Sequence, residues 1–168
     1  MYKFYFNNTT YIVVDILPSV YLSNDIKLKF TFYDSMIQKF TIIFTIDNII
    51  EFLCKLKYFL DRLSIDPYDD NYIYTSNSNE YGDTIQISAR YMDIPDYPTE
   101  DDDKVQLYIS NHNEMYNRYS IIFTINTTSI ILDSFMEYII NILESMNIDI
   151  IPKSEEIFTN LLYGDFIR

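Results

Sequence analysis

The sequence predicts an α+β protein built by internal duplication of a ββββα unit, with antiparallel sheet or sheets and two long helices packed on one face. Three observations lead to this prediction. Residues 26–46 align without a gap with residues 105–125, and Ile42–Ile46 is identical to Ile121–Ile125. Both stretches alternate apolar and polar residues, which is the period of a half-buried strand. Both are followed by an amphipathic helix.

The duplication divides the chain into two repeats and a tail. We expect a first repeat over residues 1–66, a second over residues 67–149, and a C-terminal tail with a short helix over residues 150–168. The joint between the repeats begins with Pro67-Tyr68-Asp69-Asp70, which lacks the glycine and serine of a flexible linker. The two repeats should therefore pack closely against each other.

The first repeat opens with two predicted strands, Lys3–Phe6 and Tyr11–Leu17, with a turn between them and Pro18 closing the second. A hairpin over residues 26–46 supplies two more strands, with a turn at Asp34-Ser35. The second repeat follows the same order, with strands at Tyr72–Thr75 and Thr84–Tyr91 and two more starting at Val105 and Tyr119. Eight strands can form one sheet or two, and we expect one because it buries more apolar surface per residue.

Each repeat ends in a helix with an apolar stripe at a period of about 3.6 residues. Asn48 and Glu51 form a predicted capping box for the first helix, and Thr128 or Ser129 can start the second. Cys54 falls beside the stripe and is expected at its boundary. The stripe consists of Ile49, Phe52, Leu53, Leu56, Phe59, Leu60 and Leu63 in the first helix, and of Leu132, Phe135, Met136, Ile139, Ile142, Leu143 and Met146 in the second.

Composition limits the class of protein. The 168 residues are 48% hydrophobic and 17% aromatic, which excludes a disordered chain. No apolar run is long enough to span a membrane, and Met1 leads directly into a strand without the apolar region of a signal peptide. A single cysteine fits a reducing compartment. We therefore expect a cytoplasmic protein, in a bacterial or a host-cell cytosol.

Negative charge is concentrated in the middle of the chain. The net charge is −13, of which residues 61–104 contribute −9 from twelve acids and three bases. Residues 1–60 contribute +1, and residues 105–168 contribute −5. The most distinctive segment is Asp93–Asp103, where two prolines disfavour a helix and favour an extended display of the acids.

These acids and the tyrosines near them are the predicted partner-binding site. Tyrosine is a frequent anchor in protein interfaces. Three interpretations of the acids are open: a solvated loop, a protein-binding patch, or a site for calcium or magnesium, although the spacing lacks the glycine of a calcium-binding loop. The predicted partner-binding residues are Asp69, Asp70, Tyr91, Asp93, Asp96, Tyr97, Glu100, Asp101, Asp102 and Asp103.

The sequence offers little for catalysis. Its two glycines cannot make a phosphate-binding loop. The single histidine, His112, lies in a predicted turn, and no nucleophile elbow accompanies it. Cys54 and His112 are too few for a zinc site. We therefore predict no enzymatic activity, no cofactor and no structural metal.

The sign of the charge disfavours direct contact with nucleic acid and favours a basic partner. Adjacent acids in an extended chain repeat about every 3.3 Å, close to the roughly 3.4 Å per phosphate of one nucleic-acid strand. We expect an inhibitor that occupies the nucleic-acid-binding groove of a partner, as a phage or viral anti-defence protein or as a bacterial immunity protein against a nuclease toxin. One alternative is a structural protein that oligomerises, for instance as a homodimer, with acidity serving solubility. A cation-dependent enzyme is a further alternative.

Overall fold

The computed structural model describes residues 1–18, 26–61, 71–76, 82–92, 104–152 and 154–155. Within these ranges the predicted element order, ββββα repeated twice, is confirmed. Residues 151–152 and 154–155 of the tail have helical backbone. The elements are β1 (Tyr2–Tyr5), β2 (Thr10–Leu17), β3 (Lys27–Asp34), β4 (Ile37–Thr45), α1 (Ile46–Asp61), β5 (Asn71–Thr75), β6 (Asp83–Tyr91), β7 (Lys104–Asn113), β8 (Arg118–Thr128) and α2 (Ser129–Ser145).

The strands form two antiparallel sheets, so the expectation of one continuous sheet is wrong. Sheet 1 has the order β1-β2-β3-β4, and sheet 2 has the order β5-β6-β7-β8. A single sheet would require an edge strand of sheet 1 to pair with an edge strand of sheet 2, and no such pairing occurs among the described strands. The two sheets approach each other where Phe32 of β3 lies 6.2 Å from Phe123 of β8 between ring centroids. The far end of β8 instead lies against the β1–β2 turn, where the Asn7 side chain donates to the Asn126 carbonyl oxygen at 2.6 Å.

Each helix packs against the first strand of the opposite repeat. Helix α1 lies against β5, and its Phe59 stacks on Tyr91 of β6 at 4.8 Å between centroids. On α2, Phe135 contacts Phe4 at 5.4 Å and Tyr138 contacts Tyr2 of β1 at 6.3 Å. The predicted position of both helices on one face of a sheet is not confirmed, because each helix reaches across to the other repeat.

One apolar core joins both sheets and both helices. The predicted stripes are buried, except that Met146 is partly buried and Leu63 lies outside the described residues. Cys54 is also buried, which corrects its predicted boundary position. The helical wheel of α1 misses this burial because the pocket beside Cys54 is also lined by Ile140 of α2 and Ile150 of the tail, which are distant in sequence.

The structure also tests two predicted helix caps and one predicted turn. Thr128 caps α2 as predicted, accepting from the Ile131 backbone N–H. The α1 cap is Thr45 instead of Asn48, since the Thr45 hydroxyl accepts from the Asn48 N–H at 3.2 Å. His112 lies in β7 and pairs with Tyr119, because the hairpin extends three residues beyond its predicted turn at Ser110.

The two repeats place a β-bulge at different positions. In sheet 1 the extra residue is Lys39, because Phe32 pairs with Phe40 and Tyr33 pairs with Gln38. In sheet 2 the extra residue is Ile122, because Ile109 pairs with Phe123 and Ser110 pairs with Ile121. A bulge moves the preceding residues to the other face of the strand. As a result Ile42 is 6% exposed, whereas Ile121, in the identical pentapeptide, is 54% exposed.

Candidate functional site

Two acidic segments of the chain attach to the same end of sheet 2. Segment 62–70 leads into Asn71 at the start of β5, and segment 93–103 joins Met92 at the end of β6 to Lys104 at the start of β7. The strand register places Asn71 opposite Ala89, and Ala89 opposite Leu107. Neighbouring strands lie about 4.8 Å apart, and Met92 and Lys104 lie three residues beyond the level of Asn71, so the three attachment points lie within roughly 15 Å of one another. We call this end of sheet 2 the acidic end.

The predicted acids themselves lie outside the described residues, so their positions stay a prediction. Segments 62–70 and 93–103 together contain nine acidic residues and one base, Arg62. The predicted site residues in these segments are Asp69, Asp70, Asp93, Asp96, Tyr97, Glu100, Asp101, Asp102 and Asp103. The described strand ends determine where these segments are anchored.

Tyr91 is the one predicted site residue that the structure describes. It pairs with Val105 at the acidic end, and its ring stacks on Phe59 of α1 with an interplanar angle of 20°. This packing fixes the ring against the core. Its role as an anchor for a partner stays a prediction.

The backbone at the acidic end is held by a hydrogen bond directly below segment 93–103. The Met92 N–H donates to the Lys104 carbonyl oxygen at 2.9 Å, which extends the β6–β7 ladder by one rung. The ends of the segment are therefore held at the spacing of paired strands. This backbone hydrogen bond orders the two ends of the acidic segment and adds no charge.

Arg90 supplies a basic group on the outer face of sheet 2, which is the face opposite the core. Its guanidinium donates to Gln106 Oε1 at 3.2 Å and lies 4.7 Å from the centre of the Tyr108 ring. Gln106 in turn donates to Asn126 Oδ1 at 2.8 Å. In these contacts the guanidinium of Arg90 therefore meets neutral groups.

Three buried hydroxyls on the same outer face were missed by sequence reasoning. Ser88, Tyr108 and Ser110 are buried, and their hydroxyl groups have no hydrogen-bond partner in the described part of the chain. Ser88 pairs with Tyr108 across the strands, which places them side by side. A buried unsatisfied hydroxyl costs about 1–3 kcal/mol. No sequence signal marked them, because polar residues at alternate strand positions are normally solvated.

A cleft of about 500 Å³ lies between the acidic end and the β1–β2 turn. The Thr127 hydroxyl donates to the Phe6 carbonyl oxygen at 3.0 Å and, with the Asn7 to Asn126 bond, joins the two repeats at the cleft. The cleft is lined by Phe6, Asn7, Asn8, Met92, Lys104, Val105, Asn126, Thr127, Thr128 and Ile131. Its polar groups come from residues about 120 positions apart, which is why the sequence did not indicate it.

The chemistry available among the described residues is limited. No group of three or more His, Cys, Asp or Glu side chains in these ranges is arranged to hold a metal ion. Burial raises the pKa of the Cys54 thiol above its ordinary value, an effect that a hydrogen bond with Ser154 partly offsets. A raised pKa keeps the thiol protonated at neutral pH and lowers its reactivity.

Neither helix of the described chain is long and apolar enough to cross a membrane. Comparison of the whole chain with protein-family models, with curated proteins and with solved structures finds no match in any of the three.

Proposed function

We propose that this protein is a non-enzymatic inhibitor whose acidic end occupies the basic, nucleic-acid-binding groove of a partner protein. The observation that carries the proposal is the attachment of both acidic segments to one end of sheet 2, at Asn71, Met92 and Lys104. Nine acids belong to segments whose attachment points lie within roughly 15 Å of one another, and such a concentration of charge produces a strong local field. Such a field accelerates encounter with a basic groove and selects against acidic partners.

The ordered strand ends at the acidic end favour binding as well as electrostatic attraction. A binding segment whose ends are already ordered loses less conformational entropy when it meets a partner. The Met92 to Lys104 hydrogen bond and the packing of Tyr91 on Phe59 supply that order. We infer that the partner is a nucleic-acid-handling defence enzyme or a nuclease toxin, so the setting is phage or viral anti-defence, or bacterial immunity.

The test is a charge reversal with a control of equal net charge. In the test variant Glu100, Asp101, Asp102 and Asp103 are changed to lysine; in the control variant Asp133, Glu137, Glu144 and Asp149, which are exposed on α2 and the tail, are changed to lysine. Each variant goes from a net charge of −13 to −5, because four reversals change the charge by two units each. A difference between them therefore reports position and not total charge.

We expect the wild-type chain and the control variant to capture a basic host protein in a pull-down, and the test variant to lose that capture. Double-stranded DNA added to the complex should displace the chain, because both compete for one groove. Raising the salt concentration should slow association. Capture that survives in the test variant, or that DNA leaves unchanged, contradicts the proposal.

An alternative function as an oligomerising structural protein is favoured by a different observation. Large apolar side chains are exposed at the tip of the β7–β8 hairpin, at the end of sheet 2 opposite the acidic end. Under this alternative the charge reversal leaves assembly unchanged, and the acidity serves solubility. The exposed hairpin is also compatible with the inhibitor function, since the two surfaces do not overlap.

A further inference from the structure

The tip of the β7–β8 hairpin carries a cluster of exposed apolar side chains. We define the hairpin patch as Met115, Tyr116, Tyr119, Ile121 and Ile122, whose exposed fractions range from 39% to 70%. The five consecutive residues from Arg118 to Ile122 are all exposed, so this part of β8 meets solvent on both faces. A strand that packs on a core would bury every second residue.

The bulge at Ile122 creates the patch. It places Ile121 opposite Ser110 on the outer face, beside Tyr119 opposite His112. Five side chains of about 200 Å² each, roughly half exposed, present about 500 Å² of surface, which is at the upper range of the largest apolar patch on a typical monomer. Two such patches together reach about 1,000 Å², the lower limit expected of a biological interface.

The backbone of the same segment is open to pairing. β8 is an edge strand of sheet 2 and pairs only with β7. Phe123 and Asn126 of β8 contact sheet 1, whereas residues 118–122 are exposed. Natural edge strands are usually protected by several charges or a proline. This segment has Arg118 alone.

We propose that the hairpin patch is the interface of a homodimer, in which β8 of two copies pairs antiparallel about a two-fold axis at Ser120. This register is self-complementary, as an isologous interface requires. It places Tyr119 of each copy opposite Ile121 of the other, on the same outer face. An aromatic residue opposite a β-branched residue is a favourable cross-strand pair.

The charge distribution permits a second copy here although each chain carries a net charge of −13. Residues 115–128 contain no acid, and Arg118 is their only charged residue. In the proposed register the two Arg118 positions are four residues, or about 13 Å, apart along the strands, which exceeds the Debye length of about 8 Å at physiological salt. The two acidic ends lie about 50 Å apart and point away from each other.

Oligomeric state tests the proposal, with a matched pair of variants. Ile121 in the patch is 54% exposed, and Ile43, an isoleucine on edge strand β4 of the other sheet, is 52% exposed. We expect the wild-type protein and Ile43→Lys to sediment as dimers at about 100 µM, and Ile121→Lys to sediment as a monomer with a dissociation constant raised about 30-fold or more. Far-UV circular dichroism of both variants should match that of the wild type, because both positions are exposed.

A cross-link tests the register. Directly opposed residues of an antiparallel pair have Cα atoms about 4.5–5.5 Å apart, within the range of a disulfide. Ser120→Cys should therefore form a covalent dimer under mild oxidation. Thr124→Cys should not, because its two copies would lie about 26 Å apart along the strands.

A wild-type protein that is monomeric at about 100 µM in both 0.15 M and 0.5 M sodium chloride overturns the dimer. A dimer that persists in Ile121→Lys, or that Ser120→Cys fails to link, overturns this interface. Salt should strengthen the dimer by screening the acids, whereas it should weaken capture of a basic partner. The failure of one proposal is therefore distinguishable from the failure of the other.

Discussion

Phe135 is the side chain around which the two repeats meet. It is 1% exposed, and its ring lies 5.1 Å from Phe6 and 6.3 Å from Phe30 in sheet 1, and 6.4 Å from Phe52 in α1. Edge-to-face and tilted contacts between aromatic rings add to the burial of their area. One residue of the second repeat thus fills space in the first.

We expect Phe135→Ala to lower the free energy of unfolding by about 3–5 kcal/mol, because it leaves a cavity that the surrounding rings cannot fill. Ile130→Ala, on the same helix but exposed, should change it by less than about 0.5 kcal/mol. Urea denaturation followed by circular dichroism measures both. Equal losses in the two variants would contradict the central position of Phe135.

One cysteine and two tyrosines, buried or partly buried, have raised pKa values. These raised pKa values predict a loss of stability at alkaline pH. Burial raises the pKa of Cys54 above 9.0 and those of Tyr74 and Tyr138 above 10.0. A group whose pKa is higher in the folded state stabilises the fold fully below its unfolded pKa, and this contribution is lost as the pH rises through the folded pKa. The free energy of unfolding should therefore fall from about pH 9 upwards.

Denaturant titrations at a series of pH values measure this fall. Tyr138→Phe should reduce its slope above about pH 10, since it removes one of the titrating groups. An unchanged free energy of unfolding up to about pH 11 would show that these groups ionise as readily in the folded state as in the unfolded chain.

At the scale of single elements, the caps show how local sequence signals compete. Asn48 followed by Glu51 has the spacing of a capping box, but α1 begins at Ile46, so Thr45 is the residue before its first turn. Strand β4 runs directly into α1 without a connecting loop. The hydrogen bonds between β3 and β4 therefore decide where the helix starts.

Thr45→Ala should lower the free energy of unfolding by about 1 kcal/mol, because the hydroxyl that accepts from the Asn48 N–H is lost. Asn48→Ala should produce no loss, since asparagine is a weaker helix former than alanine. Thermal unfolding of the two variants measures the difference. A larger loss of stability in Asn48→Ala than in Thr45→Ala would show instead that Asn48 caps the helix.

The hairpins show that identical residues can have different environments. Ile42–Ile46 and Ile121–Ile125 share one sequence, yet the bulge comes before the pentapeptide in β4 and inside it in β8. The position of a bulge depends on which partner residues the turn brings into register. The turn over residues 114–117 follows a longer hairpin than the turn at Asp34–Ile37, and the exposed face of β8 follows from that difference.

At the scale of the whole molecule, the exchange of helix contacts makes the repeats interdependent. Helix α2 covers β1, and α1 covers β5. Each helix thus covers part of the sheet of the other repeat, in addition to its contacts with the sheet of its own repeat. The pair should therefore unfold as one cooperative unit.

We expect residues 1–66 and residues 67–168, produced separately, to lack cooperative unfolding as monomers and to recover the circular dichroism spectrum of the intact chain when mixed. A full-length chain cut between residues 66 and 67 after folding is the control, and it should remain one particle in gel filtration. A first repeat that unfolds cooperatively as a monomer would contradict the interdependence.

The candidate site was partly accessible from the sequence. Segments 62–70 and 93–103 could be recognised by charge alone, because the count of acids needs no coordinates. Their attachment to one end of sheet 2 required the strand register. The cleft beside the acidic end and the burial of the Ser88, Tyr108 and Ser110 hydroxyls required the contact of strands distant in sequence.

The sequence by itself determined the elements of this protein, their order, the two apolar stripes and the acidic middle, because periodicity and charge are properties of neighbouring residues. The tertiary structure alone decided that there are two sheets, that the helices exchange contacts, and that Ile121 faces solvent. These features depend on which distant surfaces bury each other best and on a register that one inserted residue can reverse.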